Sequence, residues 1–141
     1  MFSPDFLRKE LFPRLEKLTG AWHEHGMKVI FHSDGNLVDV LEDIVKAGVD
    51  GINPVEPIAG MDIGVIRKKY PELTLMGGID CSELLPYGTT GEVDQAVKMA
   101  INEGWKGGGL LLGSSSEIHP DCKVDNVLQM WKSIKKYGVF K

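Results

Sequence analysis

A chain of 141 residues with 43% hydrophobic and 26% charged content has the composition of an ordinary globular domain, and at that length it can bury roughly 68–70% of its unfolded surface. Its formal net charge of −4 argues against nucleic acid or an anionic membrane surface as partner, because both demand a basic face. No apolar run approaches the ~20 residues of a membrane span, and Cys81 and Cys122 make neither a disulfide framework nor a CxxC pair, which points to a reducing, cytoplasmic setting.

From the N-terminus, Met1 to Asp5 lacks the basic and long apolar segments of a signal peptide. A short helix is expected over 4–12 and a longer one over 13–25, with Pro13 in its first turn, where a missing N–H costs nothing. Gly26 stops it, and 28–32 reads as a strand. Asn36 is placed to cap a helix whose stripe is Leu37, Val40, Leu41, Ile44 and Val45. Gly48 ends that helix and 51–56 is the second strand. A helix over 62–70 stops at Pro71 and leads to a strand over 73–76. Thr89 with Glu92 forms a capping box ahead of a helix that buries Val93, Ala96, Val97, Ala100 and Ile101. A strand over 109–112 follows the Gly107–Gly109 turn, and the last helix, over 124–137, is expected to turn Val127, Leu128, Trp131 and Ile134 inward. Its Lys132, Lys135 and Lys136, with Lys141 beyond, read as a solvated face, and Trp22, Trp105 and Trp131 as core packing.

Helices alternating with short strands that are apolar on both faces require a parallel sheet with right-handed crossovers. Four strands make either a small open sheet or half of a closed β/α barrel. The full barrel takes about 250 residues, so residues 1–141 are expected to be one partial α/β domain, a parallel half-barrel. Its inward side chains, such as those of Val29, Phe31, Leu75 and Leu111, would then lie open, which predicts a homodimer or pairing with a complementary half-barrel chain.

In such folds ligands bind at the carboxyl ends of strands, and the polar residues collect there. His32 and Asp34 lie two residues apart after the first strand. That spacing sends both side chains the same way, as two metal ligands or as a base with its orienting acid; the alternative is a helix-capping Asp34 beside a carbonyl-bonded His32. Glu56 and Asp80 stand at the next strand ends, as a third ligand, a general acid or base, or loop caps. Cys81 is a candidate thiolate at the mouth or a buried, inert side chain, and Cys122 is structural. Gly113 with Ser114, Ser115, Ser116 and Glu117 forms a hydroxyl-rich turn that can hold a carboxylate or phosphate of a small-molecule substrate.

These landmarks resemble the superfamily of uroporphyrinogen decarboxylase and the methylcobamide:thiol methyltransferases: Ser3-Pro4, His23 through Asn36, Gly78-Ile79-Asp80-Cys81, Gly88-Thr89, Gly108 through Pro120, and Asn126-Val127. The likeness implies strands five to eight of that barrel, the C-terminal half. Its methyltransferase branch carries His-x-Cys-Gly after the first of these strands and a Cys in the last loop, binding zinc that activates a thiol. Here His32 and Gly35 keep that pattern, while Asp34 and Ser116 stand near the two cysteine positions. The resemblance therefore implies metal-assisted methyl transfer between a corrinoid and a thiol, with His32 and Asp34 as zinc ligands. Its other branch implies decarboxylation of a tetrapyrrole such as uroporphyrinogen in haem biosynthesis, with no cofactor; there an N-terminal half supplies the substrate-binding arginines, and this chain would be inactive without it. A third reading is a non-catalytic half that binds a complementary chain.

Overall fold

Ser3 begins the helical part of the chain. In a computed structural model, which describes residues 2–139, its hydroxyl accepts a hydrogen bond from the Phe6 N–H (3.2 Å) and caps α1 (Pro4–Glu10). Helix α2 (Phe12–Glu24) follows with Pro13 in its first turn. It is fastened to the next helix by the Thr19 hydroxyl, which donates to the Ala47 carbonyl.

Strands β1 (Ile30–His32), β2 (Gly51–Val55), β3 (Thr74–Ile79) and β4 (Leu110–Ser114) make one parallel sheet in the order β1-β2-β3-β4. Helices α3 (Leu41–Lys46), α4 (Ile63–Lys69), α5 (Leu84–Tyr87), α6 (Thr90–Gly104) and α7 (Val124–Tyr137) lie between or after them, with a 3₁₀ turn at Pro57–Ala59. Sequential strands that are also neighbours, all parallel, are the arrangement of a barrel arc rather than of a doubly wound sheet. Among the described residues no helix is long and apolar enough to cross a membrane.

The core lies between the sheet and the helices. Ile52, Val55, Leu75 and Ile79 of the strands meet Ile44, Ile66, Val93 and Val97 of the helices, all buried. This settles the facing of the strands differently from expectation. Val29 and Leu75 are buried beneath the helices, and Phe31 packs partly against that same core. The open face instead carries Ile30 (41% exposed) and Leu111 (54% exposed), of which only Leu111 was expected there. A run such as Val29-Ile30-Phe31 is apolar at every position, so the period of two that assigns faces is absent from it.

Two helices also depart from expectation. Asn36 does not cap α3: its Oδ1 accepts the Val38 N–H (2.9 Å) in a local turn, and α3 begins only at Leu41. A side chain that bonds so close to itself competes with helix formation. The capping box of α6 is present, Thr89 and Glu92 bonding each other's backbone N–H. On α7 the buried residues are Asn126, Met130 and Ser133, and Val127 and Ile134 pack partly against the core as expected, while Leu128 and Trp131 are exposed. Asp94 of α6 grips this side of the helix. Its carboxylate accepts from the Ser133 hydroxyl (2.6 Å), the Tyr137 hydroxyl (2.8 Å) and the Gln129 amide (3.4 Å), which hold its pKa below the usual range. Trp22 and Trp105 are exposed as well, not core. Lys132, Lys135 and Lys136 are exposed as expected, and Lys141 lies outside the described residues.

Beneath β3 and β4, Arg67 is buried. Its Nε donates to Gly104 O (2.8 Å), Nη1 to Pro71 O and Leu73 O (2.7 Å each) and Nη2 to Gly109 O (3.0 Å). Burial disfavours the charge and lowers the guanidinium's pKa.

Candidate functional site

His32 ends β1 and pairs in register with Asn53 of β2. Alternation from Ile30 sends its side chain to the open face. There its Nδ1 bonds to the Asn53 amide at 2.8 Å, and its Nε2 stands 4.0 Å from Asp34 Oδ1. Both side chains are open to water, at 64% and 68% exposure, so their mutual attraction contributes no more than about 1 kcal/mol. The contact that fixes the ring is therefore Asn53. The expected convergence of His32 and Asp34 is present, and both sit at the mouth.

The two line a cavity of about 420 Å³ together with Asn53 and Pro54 from β2 and Ser114 to Glu117 from the end of β4. Residues at the two ends of the sheet thus face one space, because the sheet is curved. Two wider surface grooves, about 590 and 710 Å³, involve Lys28, Tyr70 and Thr74 at the opposite strand ends, and α4 beside Glu103 and Lys106. In parallel β/α folds chemistry belongs to the carboxyl ends of strands, so the smaller cavity is the candidate site.

Three expected site residues do not reach it. Asp80 is buried, and its carboxylate accepts the N–H groups of Ser82 (3.1 Å), Glu83 (2.9 Å) and Leu84 (2.8 Å) at the start of α5. It is a cap, with no free oxygen directed at the mouth. Cys81 is 3% exposed, and its sulfur receives the Ser115 hydroxyl at 3.6 Å, so it is packed inside rather than at the mouth. Glu56 is half-buried and accepts the Gly35 N–H. Gly35 has φ +85°, a conformation that suits glycine, and the bond ties the loop carrying Asp34 to the end of β2. Glu56 positions the site without lining it. Of the serines, Ser115 is buried and turned to Cys81, and Ser114 donates to the Ser116 carbonyl (2.7 Å). Ser116 and Glu117 are the members of the turn left exposed.

Residues 1–137 match the model of the family described as uroporphyrinogen decarboxylase (URO-D). The chain belongs to the URO-D family. No curated protein matches it. Among solved structures that resemble it is a methyltransferase from Methanosarcina mazei, with a TM-score of 0.79 at 21% identity, over 99% of this chain and 39% of that one. The chain therefore spans well under half the length of that neighbour. At such identity the likeness is one of fold, and the URO-D chain has the fold of a half-barrel.

Zinc can be tested against the donors of this URO-D chain. A catalytic zinc site takes three protein ligands, and a site without sulfur is the weaker for zinc. Among the described residues no group of three or more His, Cys, Asp or Glu is placed to hold a metal ion. His32 and Asp34 offer one nitrogen and one carboxylate, while Glu56 and Asp80 already bond backbone N–H groups. These residues do not fit a zinc site by themselves. Charge gives a second constraint. Among the described residues lining the cavity there is no Lys or Arg, and Asp34 and Glu117 are both carboxylates.

Asn53 is the site residue that sequence reasoning passed over. It lay among the polar residues at a strand end, but an amide has no titration to draw notice. Its role follows from the register that sets it opposite His32.

Proposed function

We propose that this URO-D half-barrel serves methyl transfer from a methylated corrinoid to a thiol, with His32 as the base. The observation that carries the reading is the His32 ring held at Nδ1 by Asn53 and facing a cavity that carries carboxylates and, among the described residues, no Lys or Arg. In the structure the Asn53 Nδ2 donates to Nδ1; a half-turn of that amide brings its oxygen to Nδ1 instead, and the ring then keeps Nδ1–H and presents the Nε2 lone pair to the mouth. The thiol proton passes to Nε2, and Asp34, 4.0 Å away, stabilises the imidazolium that results. The thiolate then bonds to the methyl carbon. The carbon–cobalt bond of the corrinoid substrate breaks, and both its electrons stay on the corrinoid. Ser116 and Glu117, exposed on the facing loop, are placed to contact the polar end of the thiol.

The same charge pattern disfavours the other branch of the family. A tetrapyrrole bearing several carboxylates would meet Asp34 and Glu117 with no Lys or Arg among the described residues lining this cavity, and like charges at close range are repulsive.

The test is anaerobic incubation of the full chain with methylcobalamin and 2-mercaptoethanol, following loss of the methylated corrinoid by its visible spectrum. Demethylation is expected to fall about a hundredfold in His32→Gln, the usual contribution of a general base, and less in Asp34→Asn. Carbon dioxide release from uroporphyrinogen in place of demethylation would overturn the reading. So would demethylation equal in wild type and His32→Gln, or none in wild type.

A further inference from the structure

Both lateral flanks of the half-barrel are unfinished, and in complementary ways. Strands β1 and β4 end the sheet, and among the described residues no strand pairs with their outer edges. Such edges are templates for another strand. Beside β1 in chain order stands α2. The side of α2 toward α3 carries Glu16, which shares a groove with Asp43 and Lys46. The other side carries Leu11, Leu18 and Trp22, all exposed and spaced at i, i+7 and i+11, one stripe of a helix. Beside β4 stands α7. Its side toward α6 carries Ser133 and Tyr137, bonded to Asp94, and away from that grip lie the exposed Leu128 and Trp131. Between the flanks the open face of the sheet bears Ile30 and Leu111, each more than 40% exposed. Apolar stripes on both flanks and apolar side chains on the open face mark an interaction surface rather than a solvated exterior.

We propose that the cover is a second copy of this chain, and that two copies close an eight-stranded barrel about a two-fold axis parallel to the strands. Four strands from each copy make the number that closes a β/α barrel with a filled interior. An axis along the strands keeps all of them parallel, and sets β4 of one copy beside β1 of the other on both sides. Helix α7 of each copy then packs its Leu128–Trp131 stripe on the Leu18–Trp22 stripe of the other's α2. Ile30 and Leu111 of both copies meet inside. The two-fold relation covers every open apolar surface named here with one kind of contact, made twice. Because the strands of both copies point the same way, both His32–Asp34 pairs stand at one mouth.

The test uses the full chain and two surface variants, Leu18→Lys and Leu128→Glu, with mass read by sedimentation at micromolar concentration and folding followed by far-UV circular dichroism. Wild type is expected at twice the chain mass of 15.6 kDa. Each variant alone is expected to weaken the dimer about a hundredfold, since its new charge is buried unpaired in both contacts. A mixture of the two is expected to dimerise again as one copy of each, with a lysine–glutamate pair in one contact and the native leucines in the other. Should either variant lose its folded spectrum, dilution of wild type replaces it: Trp22 and Trp131 emission is expected to shift to the red as the dimer parts. A monomeric wild type overturns the proposal, as does a dimer indifferent to both variants or a mixture that stays monomeric. A monomer that takes up a separately made N-terminal half-barrel overturns it too, and names a different partner.

Discussion

Replacing Arg67 is expected to be among the most damaging single changes outside the apolar core. The guanidinium is buried and donates at 2.7–3.0 Å to the carbonyls of Gly104, Pro71, Leu73 and Gly109. Those four belong to the end of α6, the turn after α4, and the approach to β4. In Arg67→Met the stem is retained and the donors are lost. The bonds to Leu73 O and Gly104 O are buried, whereas those to Pro71 O and Gly109 O are part-buried, where water can replace the lost donor. Each buried carbonyl left without a donor costs about 1–3 kcal/mol. Part is recovered because a buried charge, itself costly, has gone. The net is about 3 kcal/mol, a large share of the ~5–15 kcal/mol of a domain, and corresponds to a fall in Tm of about 10 °C. Arg67→Lys keeps the charge but not the planar fork, so it is expected to fall between. The assay is thermal unfolding by circular dichroism at one fixed protein concentration, since any dimer makes Tm depend on concentration. A fall of less than about 2 °C in both variants, under 1 kcal/mol on the same scale, would refute the reasoning.

Asp50 gives a pH dependence. Burial alone would raise its pKa, but Lys28, the Val29 N–H and His23 hold it well below the usual carboxylate range. A group whose folded pKa is depressed contributes stability above its unfolded pKa, about 3.9, and loses it as pH falls through the folded value; urea midpoints of wild type and Asp50→Asn are expected to differ at pH 7 and to draw together progressively as pH falls below 4. Cys81 is expected to stay inert toward a thiol reagent in the folded protein even at pH 9, since it is 3% exposed, and to react once urea unfolds the chain; prompt reaction of the native protein would return it to the mouth. Wild type is expected to lose zinc on dialysis against a weak chelator, having only the His32 and Asp34 donors, and Asp34→Cys to retain more, because thiolate suits zinc better than carboxylate. One zinc per chain held through dialysis by wild type and lost in His32→Ala would restore the metal reading.

What was legible in the sequence was local. Thr89 and Glu92 stand three residues apart, and their reciprocal bonds need nothing beyond that turn. Asp80 was legible as a cap among three alternatives, because the N–H groups it accepts lie two to four residues on. His32 and Asp34 were legible because they stand two residues apart at a strand's carboxyl end. Arg67 was not: two of its acceptors, Gly104 and Gly109, lie 37 and 42 residues away, and an arginine is exposed by default. Asn53 escaped for the same reason, since only the pairing of β1 with β2 sets it opposite His32.

Helix α7 shows how a local pattern and a distant contact are reconciled. Hydropathy finds a stripe through Leu128 and Trp131 and sends it inward. The stripe exists, but Asp94, more than thirty residues earlier, binds Ser133 and Tyr137 and turns another side of the helix to the core. The bonds to Asp94 are charge-assisted, and on the same side of the helix the buried Asn126 amide donates to Leu85 O (3.0 Å) and Gly88 O (2.9 Å). Within one chain the polar grip holds this rotation and leaves Leu128 outside. The balance changes if α2 of a second copy covers that stripe. Both interactions are then satisfied at once, by opposite sides of one helix, and the apolar pattern that looks misplaced in the single chain is in register with the assembly.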